Sequence, residues 1–213
     1  MDTKILHKGE IYEHVFLNEP SLDLHIVQES GSCVKIHILN FSSAANNIVI
    51  EQTGKGCKTE VYGLAYLHGE ERVKTETHVM HAVGEGVSNQ LIKFVLDDNA
   101  RGHFVGDLKI VKDAQKTEAH QTNRNLLLSE TAEMRTQPQL EIYADDVQAT
   151  HGASTGQLDE AALFYMQQRG LSKQKARQLL VNAFMKEVLD KIPNSLIPNS
   201  LIPLLNTIDG VVE

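Results

Sequence analysis

Cysteine is scarce in this 213-residue chain: Cys33 and Cys57 form no C-x-x-C pair and cannot staple a chain of this length into a disulfide framework. A reducing compartment is therefore expected. Proline is scarce too, with five residues, and 41% of the side chains are hydrophobic, which excludes disorder as the default state. No run approaches the roughly 18 to 20 consecutive apolar residues of a membrane-spanning helix, and the stretch from Met1 to Lys8 lacks the apolar core of a signal peptide. Positive charge is in deficit. Twenty Lys and Arg against 28 Asp and Glu leave a formal net charge of -8, a field that repels phosphate backbones and anionic membranes. These absences lead us to expect a cytoplasmic globular chain of one domain, or of one domain with an appendage, that binds neither nucleic acid nor membrane.

What the chain does have is short stretches of alternation. Leu22 to Gln28, Val34 to Leu39 and Asn47 to Glu51 each put apolar side chains on one face and polar ones on the other. Further strands are expected at 58–66, 72–83, 89–96, 102–111, 119–128 and 139–143, with no helical pattern between them. Turn signals at 29–32, 53–56, 84–86 and 97–102 punctuate the series. A sandwich, a barrel and a solenoid all satisfy this pattern. The 24-residue spacing of the cysteines would stack them in a solenoid whose coil takes about 20 to 25 residues, but no clean repeat recurs.

Past Gly156 the period changes to that of a helix. Ala162, Leu163, Tyr165 and Met166 lie on one helix stopped by Gly170, and Ser172 caps a second from Lys173 to Lys191, whose apolar stripe is Ala176, Leu179, Leu180, Ala183, Phe184 and Val188. The tandem pentapeptides Ile192 to Leu196 and Ile197 to Leu201 carry prolines that break a helix and are expected to form turns.

Several motifs promise chemistry without completing it. Gly152-Ala153-Ser154-Thr155-Gly156 matches the G-x-S-x-G nucleophile elbow, yet every histidine precedes Ser154, and the required order places the base after the nucleophile. His78 and His81 on one strand point to opposite faces and cannot chelate together, while His25 and His37 stand isolated on alternating strands as solvated side chains. The loops at 54–59 and 84–89 lack the glycine spacing of nucleotide-binding loops. Asp145-Asp146 could be the paired acids of a β-solenoid carbohydrate-active enzyme, although adjacent strand residues diverge and no basic residue stands near.

Ala114-Gln115-Lys116-Thr117-Glu118-Ala119-His120-Gln121-Thr122-Asn123-Arg124-Asn125-Leu126-Leu127-Leu128-Ser129 is followed by Pro138-Gln139-Leu140-Glu141-Ile142-Tyr143-Ala144-Asp145-Asp146-Val147 and His151-Gly152-Ala153. Phe164-Tyr165, Arg169-Gly170-Leu171, Ala100-Arg101-Gly102 and Phe104 add to it. This block resembles the SufB/SufD core family of the Suf iron-sulfur cluster assembly system, SufD type, and the resemblance is strong over about the C-terminal half. It implies a right-handed parallel β-helix over residues 1–156, followed by a small helical domain over 157–213, without the family's usual N-terminal helical region. It also implies a non-catalytic scaffold subunit that pairs with a SufB-type subunit through β-helix edges, docks a SufC-type ATPase through its helical domain, or forms a homodimer through those edges. His151 matches a histidine placed at the partner interface, where it could serve as an iron ligand; neutral imidazole is competent for that. Arg124 stands where SufB-type members carry a reactive cysteine, and Val147 to Thr150 lack the cysteine that usually precedes the histidine. With Cys33 and Cys57 outside the motifs, the chain is expected to bind no cofactor tightly, and to meet iron or a cluster only transiently at a partner interface. Phe184, Lys186 and Glu187 are the expected ATPase-docking positions. The alternatives are a degenerate β-helix oligomerisation module without assembly activity and the carbohydrate-active enzyme.

Overall fold

Alternation in a series of parallel strands is stable only if each apolar face finds another to cover it, and the chain solves this by passing back and forth between two sheets. The computed structural model describes residues 2–199. One sheet contains β1 (Asp2–Leu6), β3 (Ser21–Gln28), β5 (Ala44–Gln52), β7 (Arg72–His81), β9 (Arg101–Ile110) and β11 (Glu133–Ile142), in that order. The other contains β2 (Ile11–Leu17), β4 (Cys33–Asn40), β6 (Lys58–Leu67), β8 (Val87–Leu96), β10 (Thr117–Leu127) and β12 (Val147–Gly156), also in chain order. Each strand pairs in parallel with the strand two before it, which makes a β-solenoid whose inner faces share one core, including Ile26, Ile48, Ile50 and Val79 from the odd-numbered sheet and Ile36, Val61, Ile92 and Phe94 from the even-numbered one.

Solenoid is thus the one of the three all-β forms that the chain adopts. The coil lengthens along it: Ile11 pairs with Cys33, 22 residues on, Cys33 with Lys58, 25 on, Lys58 with Val87, 29 on, and Val87 with Glu118, 31 on. This drift hides the repeat from the sequence. The cysteines lie one position out of register, because Cys33 pairs with Lys58; Cys57 falls in the preceding turn, where its buried Sγ donates to the carbonyls of Gly54 (3.0 Å) and Glu29 (3.1 Å). Strands β1, β2 and β12 were not expected. Strand β12 has few apolar residues to alternate, since it ends the stack and covers little.

Polar side chains are buried where one sheet turns into the other. Gln28, Gln52 and His81 occupy successive coils in register and are fully buried. Thr59 Oγ1 donates to Gln28 Oε1 at 2.6 Å, Gln52 Nε2 donates to Thr59 Oγ1 at 2.8 Å and to the Val87 carbonyl at 3.1 Å, and His81 Nε2 lies 2.8 Å from Ser88 Oγ. The packing leaves no room at Gly86, where a Cβ would come within 2.1 Å of Gln52 Oε1, nor at Gly54, where it would stand 2.0 Å from the backbone nitrogen of Ser30.

Two helices follow the last strand. Asp159 caps α1 (Glu160–Gln168) by accepting from the Ala161 and Ala162 amides, and Gly170 ends it at φ +90°. Ser172 caps α2 (Lys173–Leu189), accepting from the Lys175 amide at 3.2 Å. The buried face of α2 is Ala176, Val181, Asn182, Met185, Val188 and Leu189, which shares only Ala176 and Val188 with the stripe expected from the sequence. Leu179, Leu180 and Phe184 are half-buried and Ala183 is exposed, because α2 packs against the sheet and α1 together and is apolar on more than one face. Val181, Met185, Val188, Leu189 and Ile192 form a second core with the outward side chains Leu39, Tyr62, Leu64, Val95 and Leu126 of the even-numbered sheet. That sheet is buried on both faces, which suits parallel strands. The first pentapeptide contains a short 3-10 turn at Asn194–Leu196, and the second runs past residue 199, outside the described residues.

Charge fixes the helix in place. Lys93, 2% exposed beneath α2, donates from Nζ to the Phe184 carbonyl at 2.8 Å and to the Glu187 carboxylate, and lies 4.3 Å from the Phe184 ring centre. Burial lowers the Lys93 pKa, and the hydrogen bond from Lys93 lowers that of Glu187. Glu187→Gln leaves the buried ammonium without its counter-charge and is expected to cost about 2 kcal/mol, whereas Lys93→Met combined with Glu187→Gln costs less, because no buried charge remains. Urea unfolding of the three proteins checks the order. A second outcome concerns pH. Burial pushes the His81 pKa down from its ordinary 6.5 to about 4, so the unfolded chain takes up a proton that the folded chain refuses. The stability contributed by neutral His81 is complete above the unfolded value and drains away as pH falls from about 6.5 to about 4, at up to ~1.4 kcal/mol per pH unit. His81→Gln is expected to flatten the pH dependence of the unfolding midpoint in that window.

Candidate functional site

A solenoid must end, and its last coil is the place where inward-facing side chains lose their cover. Here that coil is β11 and β12, each the terminal strand of its sheet. The inward column formed by Val61, Gln90 and Gln121 continues, by register, to His151 on β12. Gln90 and Gln121 are buried, and neither amide has a protein partner. His151 is exposed, and among the described residues no further strand lies over it. Its neighbours along β12 are small or polar, from Thr150 to Thr155. The loop before β12 contributes exposed Tyr143, and Ile142 stands exposed at the end of β11.

Arg124 does not share this surface. It pairs in register with Ser154, three residues beyond His151, so the two side chains leave opposite faces of the sheet. Arg124 points outward instead, and its Nη1 lies 3.2 Å from Glu187 Oε2, beside Lys93. The fold thus joins Arg124, Phe184 and Glu187, which the sequence reading had assigned to two different surfaces. Lys186 is exposed and pairs with Asp190 at 3.2 Å, one turn along the helix.

Tyr165 was read as part of the apolar face of α1, yet only Leu163 of that helix is buried. Phe164 (63%) and Tyr165 (60%) are exposed side by side, with the Arg169 guanidinium 5.2 Å from the Tyr165 ring centre. The signal in the sequence was a pair of adjacent aromatics, which cannot both enter one helical stripe.

The remaining motifs resolve into structure. Ser154 lies within β12, not on a strand-to-helix turn, so the G-x-S-x-G match makes no nucleophile elbow. His78 and His81 do diverge: His78 faces outward, 2.7 Å from Asp107, and His81 is in the core. His37 differs from the expected solvated side chain. It is fully buried beside Tyr62, with Nε2 3.0 Å from Glu13, and burial lowers its pKa against the opposing pull of that carboxylate. Asp145 and Asp146 are exposed in the turn between β11 and β12, where the Asp146 amide donates to Gln115 Oε1 at 2.8 Å and its carbonyl accepts from the Lys116 amide. A concavity of about 290 Å³ on the outer face of the odd-numbered sheet includes Glu51, His78, Asp107, Lys109 and Glu141. Its charges pair across strands, His25 with Glu51, His78 with Asp107 and Lys109 with Glu141.

Among the described residues no three His, Cys, Asp or Glu side chains gather into a metal-binding group, and no helix is long and apolar enough to cross a membrane. Among the described residues His151 has no second ligand. A metal or cluster held there would need thiolates or other donors from elsewhere.

Comparison with known proteins agrees with the motif block. Residues 22–184 match the family model for the SufBD core domain, described as SUF system FeS cluster assembly. The chain is 39% identical over 204 residues to an iron-sulfur cluster assembly SufBD family protein of Synechocystis, covering 87% of this chain and 45% of that protein. It is 33% identical over 170 residues to the iron-sulfur cluster assembly protein SufD of Escherichia coli, covering 80% and 40%, and 32% identical over 165 residues to SufD of Bacillus subtilis, covering 77% and 37%. It thus spans less than half the length of these relatives. With a solenoid core and the family motifs on its last coils, this chain belongs to the SufBD core family.

Proposed function

We propose that this chain is a non-catalytic, SufD-like scaffold subunit for iron-sulfur cluster assembly, with residues 1–156 as the β-helix core and 157–213 as the helical part. One observation carries the reading: the last coil is open, and His151 stands on it in register with the column Gln90 and Gln121. Unsatisfied strand edges and small flanking side chains fit the edge of a second β-helix, and the partner of choice is a SufB-type subunit. His151 then meets the nascent cluster or its iron as cargo at the seam. Its imidazole supplies one ligand or a proton acceptor, and the softer donors come from the partner.

A second surface suits a SufC-type ATPase. Phe164 and Tyr165 are large exposed aromatics on a capped helix, the kind of side chain that anchors an interface. They fit that role better than Phe184 and Glu187, which Lys93 holds against the sheet. Lys186 remains at the margin of the helical surface. Residues in this part that move with the ATPase would act on the core through α2. The absence of the family cysteine before His151 favours one further reading, a solenoid module that self-associates without assembling clusters.

Co-expression with SufB-type and SufC-type proteins from the same source, followed by mass analysis of the purified material, tests the proposal. A stoichiometric complex with both is expected, and a homodimer that excludes both would establish the self-association module instead. His151→Ala is expected to leave that complex intact and change stability by less than about 0.5 kcal/mol, since an exposed side chain is removed, while lowering the cluster content formed on the complex. Unchanged cluster content would remove His151 from the site. Phe164→Ala with Tyr165→Ala is expected to release the ATPase while keeping the SufB-type subunit; retention of both would place ATPase docking elsewhere on the chain.

A further inference from the structure

The outer face of the odd-numbered sheet is left bare by the helices, and at one end of it the charge pattern departs from that of the whole chain. Arg72 on β7 and Arg101 on β9 are in-register partners on adjacent parallel strands, so two guanidinium stems rise about 4.8 Å apart. One position further along this face, Lys74, His103 and Arg135 form a second row across β7, β9 and β11. Like charges abreast on neighbouring strands destabilise a sheet unless counter-charges intervene. Few do here. Glu133 reaches Arg101 only at 3.6 Å, and Glu76 is engaged by Lys74 at 2.7 Å. Among the described residues no carboxylate lies within 4 Å of Arg72 or Arg135. The rest of this face pairs its charges across strands, as His78 with Asp107 and Lys109 with Glu141. The two basic rows border a shallow groove of about 320 Å³, with Ala44 and Gly102 among the residues on its floor.

We propose that this groove binds a multivalent oxyanion of the diphosphate class. Arg72 and Arg135, which have no carboxylate partner among the described residues, and Arg101, which Glu133 reaches only at 3.6 Å from within the groove, present planar forks that match phosphoryl oxygens two at a time, and an anion between the two rows relieves the repulsion that the register imposes. A single carboxylate would neutralise one arginine and leave the others facing each other. The groove lies on the sheet opposite the helices, so the inference stands apart from the scaffold reading.

The probe is inorganic pyrophosphate, titrated into the full chain at low ionic strength by calorimetry and by thermal shift, with ADP and an acidic peptide titrated separately. Pyrophosphate is expected to bind and raise the melting temperature, and Arg72→Ala and Arg101→Ala are each expected to weaken binding by at least about tenfold, the loss of a charge-assisted pair of hydrogen bonds. Without ligand, the double variant is expected to melt at or above the wild-type temperature, which separates lost binding from lost folding. Lys109→Ala, on the same face outside the groove, is expected to bind as the wild type does. ADP binding with the same arginine dependence would identify a nucleotide as the source of the diphosphate, and binding of pyrophosphate alone would identify a free anion. No heat and no thermal shift with either would overturn the proposal. So would equal affinity in the double variant, or arginine-dependent binding of the acidic peptide alone, which would assign the groove to a protein partner.

Discussion

Register between parallel strands is the constraint on which the rest of this molecule depends. Each inward side chain lies directly over the corresponding side chain of the coil before it, so an apolar position must stay apolar and a polar one must find partners along the stack. Gln28, Gln52 and His81 show the second case. Their bonds run to Thr59, Ser88 and backbone carbonyls of the facing turns, and they hold two sheets together at a corner where apolar packing alone would not fix the angle. The same closeness forbids a Cβ at Gly86 and Gly54, so turn chemistry and core chemistry are one problem here. Register also guarantees that the stack stops with an inward face uncovered. His151 is exposed for that reason and no other, since the equivalent Gln121 one coil earlier is buried.

The two sheets then meet different fates. Outward residues of the even-numbered sheet are apolar in its middle coils, at Leu39, Leu64 and Val95, and require the helix that covers them. Lys93 interrupts this surface with a charge, and the interruption sets the helix position, because only one place along α2 offers Nζ both a carbonyl and a carboxylate. Arg124 and the Arg177 pair with Asp97, at 3.2 Å, extend the same logic to either side. Such pairs add little to net stability when weighed against an apolar alternative, but they penalise every other helix orientation, where the ammonium would be buried alone. The odd-numbered sheet has outward residues that are polar and charged, needs no cover, and stays open.

The sequence made the strands of the middle coils legible, because there the inner faces of both sheets cover each other and alternation is regular. It made the helix caps legible as well: Asp159, Ser172 and Gly170 are local signals that do not depend on tertiary packing. The terminal strands were not legible. Strand β12 carries Thr150, His151, Gly152, Ala153 and Ser154, with no apolar alternation, and only pairing with β10 makes it a strand. The rotation of α2 was hidden for the opposite reason, since a helix that touches both a sheet and another helix has more apolar positions than one stripe can use. Of the site, His151 could be picked out by its motif, but its separation from Arg124 could not. Motif resemblance preserves positions along the chain, whereas the face a strand residue takes follows from an odd or even offset across a pairing whose register must be known. Tyr165 was similarly misassigned when apolar character was equated with burial.

The exposed surfaces of the molecule are connected through its packed body. The open coil edge and the basic groove meet at β11, which carries Glu133 and Arg135, while the exposed aromatics Phe164 and Tyr165 stand on α1. Communication between α1 and the open edge passes through the packed body. The route available from α1 runs through α2, whose Glu187 is bound to both Lys93 on β8 and Arg124 on β10. Strand β10 is the neighbour of β12 and contains Gln121, the register partner of His151. A displacement of α2 by a few tenths of an ångström therefore acts on β8 through the buried Lys93, which is costly to separate from Glu187, and on β10, directly beneath the open edge, through the exposed Arg124. The helical surface is thus connected rigidly to two neighbouring strands, by the buried Lys93 to β8 and by Arg124 to β10, the strand that pairs with β12.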